Sequence, residues 1–190
     1  ELAASEPGWQ ARAAHGIAFT HLHGAQAIAE LQPGLSSTLV AATFLPAWKT
    51  IADPLLLTLT IARRFTELGG RLRRGEALAL EPAGAQGVIV PVAGGQRITA
   101  QQVVVAAGAW SHRLARTLGE RIPLETERGY NTTLPVTAFD LKRQLTFGGH
   151  GFVVTPLACG VRVGGAVELA GLDAPPNYER SEVLLAKAKR

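Results

Sequence analysis

The clearest periodic pattern in the chain follows Asp53-Pro54 and predicts an amphipathic helix. Apolar residues recur every three or four positions from Leu55 to Leu68, as on one broad face of a helix. Asp53 is expected to cap the first amides, and Pro54 suits the first helical position because its missing N–H would have no partner there. Gly69-Gly70 is expected to end the helix in a left-handed conformation.

Shorter elements are predicted on both sides of this helix. Before it, the pattern predicts a strand over 17–22, a helix over 25–31 and a strand over 42–45. After it, a strand is predicted over 71–81. Residues 87–92 and 96–98 flank Gly94-Gly95, which is typical of a β-hairpin.

A continuous β-branched run closed by small residues lies in Gln-Val-Val-Val-Ala-Ala-Gly, residues 102–108. A β-branched run that ends in small residues predicts a strand buried on both faces. Ser111 is then expected to cap a short helix over 112–118, ended by Gly119. Ligands of open α/β sheets lie beyond the carboxyl ends of strands, and small residues there let a large ligand approach the backbone. A close-packed turn without a ligand explains these residues equally well.

The second half of the chain has a different pattern, with strand-like segments separated by turn residues. These segments are 125–134, 144–147, 151–157 and 161–169, and a helix is predicted from Tyr178 to the end. Successive strands with short connections predict an antiparallel sheet. The chain is therefore expected to be α+β or α/β, with a mixed part followed by this sheet.

Composition excludes several classes of protein. Hydrophobic residues make up 47% and charged residues 18%, as in globular domains. Cys159 is the single cysteine, so the sequence contains no internal disulfide and no cysteine metal site. No apolar run approaches the roughly 20 residues of a membrane span, and we expect no signal peptide, because no apolar segment follows Glu1. We therefore expect a soluble protein of the reducing cytoplasm.

Charge and histidine patterns give no specific site. The net charge is +4, but the basic residues are spread along the chain. The densest arginines, 63–74, surround the predicted helix end, where a solvated face is favoured over an anion patch, and nucleic acid is not expected as a partner. His21 and His23 share one face of a strand without a third ligand, so no metal is predicted. Gly148-Gly149-His150-Gly151 is interpreted as a tight turn. No catalytic constellation is present, and the catalytic residues stay unknown.

Two features suggest a piece of a longer protein. The sequence contains no methionine, so we expect that it does not begin at a translation start. The last predicted helix keeps its periodic pattern to Arg190 without a glycine or proline to end it.

Several segments together resemble a known family. Val-Val-Val-Ala-Ala-Gly-Ala-Trp-Ser (103–111), followed by Ile-Pro-Leu-Glu-Thr-Glu-Arg-Gly-Tyr (122–130), is similar to the D-amino-acid dehydrogenase and glycine oxidase superfamily of FAD enzymes. Phe-Val-Val-Thr-Pro-Leu (152–157) and the segment 161–171 continue the similarity, which runs from about Phe19 to the end. The resemblance implies part of an FAD-binding βαβ domain over 51–121. Substrate-domain segments are implied over 1–50 and 122–190, the latter an antiparallel sheet truncated at its C-terminal helix.

The resemblance also implies a reaction and a site. Family members oxidise the Cα–N bond of D-amino acids or related amines by hydride transfer to FAD. By position, the residues bordering FAD would be Ala106, Ala107, Gly108 and Trp110. The substrate pocket would include Tyr130, Phe152 and Val167, which as inward-facing sheet residues would also be apolar without a ligand. Arg128 and Glu168 would be either polar pocket groups or a cross-strand ion pair.

The resemblance leaves parts of such an enzyme outside this sequence. The family's dinucleotide-binding glycines would precede Glu1, and its carboxylate-binding arginine would follow Arg190. The isolated piece is therefore expected to bind FAD weakly or not at all and to be inactive. The alternative is a stand-alone, non-catalytic ligand-binding or interaction module derived from the same substrate domain. Peripheral association of the longer protein with the inner membrane stays open.

Overall fold

The computed structural model describes residues 2–190, which divide into two compact units. Unit 1 comprises the residues up to Leu59 together with Gly129–Val167 and Asn177–Arg190, and unit 2 comprises Thr60–Arg128 and Glu168–Pro176. Unit 1 is thus assembled from three separate stretches of sequence.

The first stretch of unit 1 alternates helices and strands. Helix α1 spans Leu2–Ala14, strand β1 Thr20–His23, helix α2 Ala25–Leu31 and strand β2 Ala41–Phe44. The two strands pair antiparallel, with Thr20 opposite Phe44 and His23 opposite Ala41. These elements confirm the predicted strand, helix and strand, with β1 three residues later than its predicted start. Helix α1 was not predicted.

A four-stranded sheet forms the centre of unit 1. It contains β6 (Arg128–Leu134), β7 (Leu145–Phe147), β8 (Phe152–Leu157) and β9 (Gly160–Glu168), in the order β6-β9-β8-β7. Strand β8 pairs antiparallel with both β7 and β9, which confirms the predicted antiparallel sheet.

Helix α5 (Glu179–Ala188) packs on this sheet through a small apolar core. Phe152 and Val163 from the sheet contact Leu184 from the helix, and all three side chains are buried. Their burial is the hydrophobic contribution that joins α5 to the sheet.

Gly160 allows the closest backbone approach in the sheet. Its φ is +146°, and a Cβ added to it would overlap the carbonyl oxygen of Leu134 in β6. Glycine alone has no side chain to place there, so the turn between β8 and β9 depends on this residue.

Unit 2 contains a three-stranded antiparallel sheet and short helices. Its strands are β3 (Glu81–Pro82), β4 (Val88–Pro91) and β5 (Arg97–Ala100), in that order. The β4–β5 hairpin confirms the predicted one. Helix α4 spans Ser111–Arg116, and short 3₁₀ helices span 84–86 and 108–110. A third 3₁₀ helix, 148–150, belongs to unit 1 and forms the predicted tight turn, with Gly151 left-handed.

Helix α3 (Pro54–Glu67) begins as the sequence predicts. The Leu56 amide donates a hydrogen bond to Asp53 Oδ1 at 2.8 Å, which confirms the Asp53 cap. Gly69 follows the helix with a positive φ of 92°, as expected for a glycine stop. The boundary between the two units falls within this helix.

Two local predictions in unit 2 are wrong. The expected strand over 71–81 is reduced to a single bridge, Ala77 with Val92, and the two residues of β3. Ser111 does not cap α4, because it lies inside the helix and no side-chain cap bond is made. The apolar end of this segment, residues 77–80, indicated an extended chain, but an extended chain becomes a strand only where a neighbour pairs with it.

The predicted strand over 102–108, buried on both faces, is also wrong. No described segment pairs with residues 102–107, and the side chain of Val104 is 89% exposed. The prediction failed because the apolar composition of a segment does not identify the residues that would pair with it or cover it.

Candidate functional site

The proposed cofactor segment, Ala106 to Gly108, ends in an open turn of unit 2. Gly108 has a φ of +53° and begins a short 3₁₀ helix, and a Cβ built on it would meet nothing within 4 Å. The Trp110 amide donates to the Ala107 carbonyl oxygen at 3.1 Å, which closes the turn. The Trp110 side chain is 56% exposed. The tip of the segment therefore lies at an open surface, where a ligand can approach the backbone.

The helix after this turn is fixed to the rest of unit 2. The Leu80 amide donates to Thr117 Oγ1 at 2.9 Å, at the end of α4. Leu80 and Ala115 are both buried. His112 Nδ1 lies 2.9 Å from the carbonyl oxygen of Ala109 and reinforces the turn. The open turn is thus held in place on its C-terminal side.

Tyr130, one of the proposed substrate residues, is buried and its hydroxyl is hydrogen-bonded. The amide of Asn177 donates to Tyr130 Oη at 2.7 Å, and the rings of Tyr130 and Tyr178 meet edge-to-face at 6.2 Å. These contacts tie β6 to the segment that leads into α5.

Phe152 and Val167 lie in different surroundings. Phe152 is 5% exposed and stacks on Phe147 with ring centroids 4.6 Å apart. Val167 is 45% exposed, and its carbonyl oxygen accepts a hydrogen bond from Arg180 Nη1 at 3.0 Å.

A cavity of about 850 Å³ lies in unit 1 beside the sheet. Its apolar lining includes Phe147, Phe152, Val154 and Val163. Phe152 therefore lines this cavity, whereas Tyr130 and Val167 do not. Such a volume lies within the range of roughly 300–1,000 Å³ found for small-molecule sites.

Arg128 and Glu168 form an ion pair between neighbouring strands. Arg128 Nη1 lies 3.4 Å from Glu168 Oε2, and the two side chains are 27% and 14% exposed. Arg128 Nη2 also donates to the carbonyl oxygen of Ala174 at 2.6 Å. Because β6 and β9 are adjacent, the cross-strand ion pair is the alternative that the structure supports.

The two strand histidines have structural surroundings. His21 Nδ1 lies 2.8 Å from Thr43 Oγ1, and its ring contacts Trp9 and Phe19. His23 is exposed at the end of β1. Within residues 2–190 no three metal-ligating side chains come together.

Gln32 is a buried residue that the sequence analysis missed. It is 2% exposed, and its Nε2 donates to the carbonyl oxygens of Pro33 and Asp140 at 3.0 and 3.1 Å. Its Oε1 accepts from the Lys142 amide at 2.8 Å. The 140–142 turn is thus held against the end of α2. A glutamine beside a proline gives no sequence signal for a contact so distant along the chain.

The fold identifies the class of protein, and a family model then identifies the family. Helices with antiparallel sheets in this arrangement match a solved glycine oxidase from Geobacillus kaustophilus with a TM-score of 0.76. That match covers 93% of this chain and 47% of the other at 19% identity, so it shows a flavoprotein fold. The chain belongs to the FAD dependent oxidoreductase (DAO) family, whose model matches residues 1–190.

Two curated relatives agree with this family. A D-amino-acid oxidase from Bradyrhizobium diazoefficiens is 31% identical over 93% of this chain. A D-amino acid dehydrogenase from Methylobacterium radiotolerans is 33% identical over 90% of it. The matched part is 42% of each relative, so the chain spans less than half their length.

The comparisons confirm the predicted superfamily, its fold class and FAD as the family's cofactor. In the part of the chain that the structure describes, no helix is both long and apolar enough to cross a membrane.

Proposed function

We propose that the protein containing this chain oxidises the Cα–N bond of D-amino acids or related amines with FAD as the cofactor. The family match over residues 1–190 carries this proposal. The substrate class is supported by two relatives: a D-amino-acid oxidase is 31% identical to this chain, and a D-amino acid dehydrogenase is 33% identical. The substrate is a small amino acid or amine.

The open turn at Gly108 fits one part of a flavin-binding wall. No atom lies within 4 Å of a Cβ built on Gly108, and the neighbouring Val104 and Trp110 have exposed apolar surface. We propose that Ala106, Ala107 and Gly108 border the cofactor, with Trp110 beside it. Bound FAD would supply the acceptor for the hydride that leaves the substrate. The turn itself would position a planar ligand and exclude water from one side of it.

We propose that Tyr130, Phe152 and Val167 border the substrate. Phe152 offers an apolar wall without a hydroxyl, so it would contact an apolar part of the substrate. Tyr130 has its hydroxyl engaged by Asn177 and would contribute its ring. Under this proposal 51–121 belongs to the flavin domain, and 1–50 and 122–190 belong to the substrate domain.

A pair of glycine variants tests the flavin assignment. Gly108 and Gly119 both have a positive φ, +53° and +78°, and a Cβ added to either meets nothing within 4 Å. Gly108→Val and Gly119→Val should therefore destabilise the full-length protein by similar amounts. Only Gly108→Val should weaken FAD binding, by about tenfold or more, which corresponds to about 1.4 kcal/mol. Flavin absorbance and equilibrium unfolding measure the two effects.

Equal flavin content in the two folded variants would contradict the assignment. We also propose that the 190-residue chain alone holds FAD weakly or not at all, because it spans 42% of its relatives' length. Saturable micromolar binding in an absorbance titration would refute that point.

A second candidate is a ligand-binding module that works without redox chemistry. The observation in its favour is that the 850 Å³ cavity is lined only by residues of unit 1. Amino-acid-dependent reduction of an acceptor by the full-length protein would decide for the oxidoreductase.

A further inference from the structure

The loop that follows β9, residues 169–176, is closed at its base by one arginine. Arg128 Nη1 lies 3.4 Å from Glu168 Oε2 at the start of the loop, and Arg128 Nη2 donates to the carbonyl oxygen of Ala174 near its end at 2.6 Å. Pro175-Pro176 comes next, and each proline ring fixes one backbone dihedral. The end of the loop therefore has little conformational freedom.

Asp173, the residue before Ala174, pairs with Arg113 of α4. Arg113 Nη2 lies 3.0 Å from both carboxylate oxygens of Asp173, and both residues belong to unit 2. The two side chains are 49% and 87% exposed, and such pairs usually stabilise little, because ordering two side chains costs entropy. Here the aspartate belongs to a loop end that Arg128 already orders, so less entropy remains to be lost when the pair forms.

The pair acts on the helix that begins at the open turn of unit 2. Trp110 has helical backbone angles and directly precedes α4, and Arg113 follows it by three residues, which makes the two side chains neighbours on one side of the helix. The far end of α4 is fixed at Thr117 by the Leu80 amide. Arg113 fixes its first turn to the loop, next to the Gly108–Trp110 turn.

We propose that Arg113 and Asp173 are a positioning pair that holds the Gly108–Trp110 turn in the conformation that borders FAD. This proposal rests on the proposed function, because it requires that the turn contacts the cofactor. The two side chains act through the backbone of α4 rather than by touching FAD. Loss of the pair should therefore weaken flavin binding while the fold of unit 2 is kept.

Neutral variants of the full-length protein test the pair. Arg113→Gln and Asp173→Asn should each weaken FAD binding about threefold, as expected for one exposed ion pair. The double variant should bind no more weakly than either single one, because all three remove the same interaction. The fluorescence of flavin released on dilution of the holoprotein measures the dissociation constant. Arg97→Gln is the matched control, since Arg97 pairs with Glu81 in unit 2, is similarly exposed and lies outside α4, and it should leave FAD binding unchanged.

The direction of the Asp173→Asn effect separates positioning from direct attraction between charges. FAD carries a negatively charged diphosphate, so a purely Coulombic role would make Arg113→Gln bind FAD more weakly and Asp173→Asn more tightly. Positioning weakens binding in both variants. Exchange of the two charges, Arg113→Asp with Asp173→Arg, should recover most of the affinity. Hydrogen exchange at the Trp110 amide, which bonds to Ala107 across the turn, should become about threefold faster in each neutral variant and stay unchanged in Arg97→Gln.

An Asp173→Asn protein that binds FAD as tightly as the wild type, or more tightly, would overturn the proposal. Unchanged exchange at Trp110 in both neutral variants would do the same. If the protein with either result still contains FAD and oxidises amino acids, the proposed function stands and only the positioning pair is wrong. A wild-type full-length protein that holds no FAD would contradict both.

Discussion

The β6–β9 sheet and the segment 102–107 are both rich in valine, yet they end in opposite environments. In the sheet, Val163 is 2% exposed and packs between Phe152 and Leu184. In the segment, Val104 is 89% exposed, and no described residue pairs with its backbone. The difference shows that an apolar run indicates a segment suited to burial, but that the residues that bury it are determined by the whole protein.

We propose that the rest of the full-length protein provides strand partners for this segment. The chain spans 42% of its relatives' length, which leaves room for them. Hydrogen exchange on the full-length protein should then show amides 103–105 protected about a thousandfold or more, like those of β8. Rapid exchange at 103–105 beside slow exchange in β8 would show that the segment remains a loop.

Truncation of the sheet's central side chain should have the largest effect on stability. Phe152→Ala removes a ring stacked on Phe147 and packed against Val163 and Leu184, and should cost about 3–5 kcal/mol. Chemical unfolding measures this loss. Val136→Ala, at a site 61% exposed, is the control and should cost less than about 0.5 kcal/mol. Similar losses in both variants would mean that the small core around Phe152 does not hold the sheet together.

Gly160→Ala should destabilise the protein by about 3 kcal/mol, because it adds a Cβ against the Leu134 carbonyl at a φ that alanine rarely adopts. Gly129→Ala is the matched control, since this β6 glycine has no positive φ and no atom within 4 Å of the added Cβ. Unfolding midpoints compare the two variants. If Gly160→Ala is no worse than Gly129→Ala, the strands lie farther apart than described.

Asp53→Ala should have the smallest effect, about 1 kcal/mol, because it removes the single side-chain bond to the Leu56 amide at the start of α3. Asp53→Asn, which keeps an accepting oxygen, should recover most of the loss in the same unfolding measurement. An Asn variant as unstable as the Ala variant would point to charge rather than capping.

Local signals predicted the elements whose determinants lie within a few residues. The Asp53 cap, the glycine after α3 and the β4–β5 hairpin were all predictable, since each depends on neighbours in sequence. The extent of strands was predicted less well. Residues 71–81 have the composition of a strand, but pairing reaches only Ala77 and β3.

The residues of the candidate site were proposed through resemblance rather than from the sequence pattern. The resemblance selected Gly108 as a residue that borders the cofactor, and in the structure its surroundings are open enough for a ligand to contact the backbone. The resemblance also selected Phe152, Tyr130 and Val167 as substrate-pocket residues, and of these three only Phe152 lines the cavity in unit 1. The proximity of His150 and Lys187 beside the cavity was not predicted, because the two residues are far apart in sequence and meet only through the packing of α5 on the sheet.

The hydrogen bonds of the Gln32 side chain have a consequence for folding during synthesis of the polypeptide. Its side chain reaches Asp140 and Lys142, so the first stretch of unit 1 leaves the ribosome long before its partners exist. Unit 2, which is mostly one stretch, is synthesised in between. Contacts so distant in sequence close slowly, so during translation the nascent β1–α2–β2 segment precedes the turn that Gln32 binds, and incompletely packed states of this kind are those in which chaperones bind and aggregation begins.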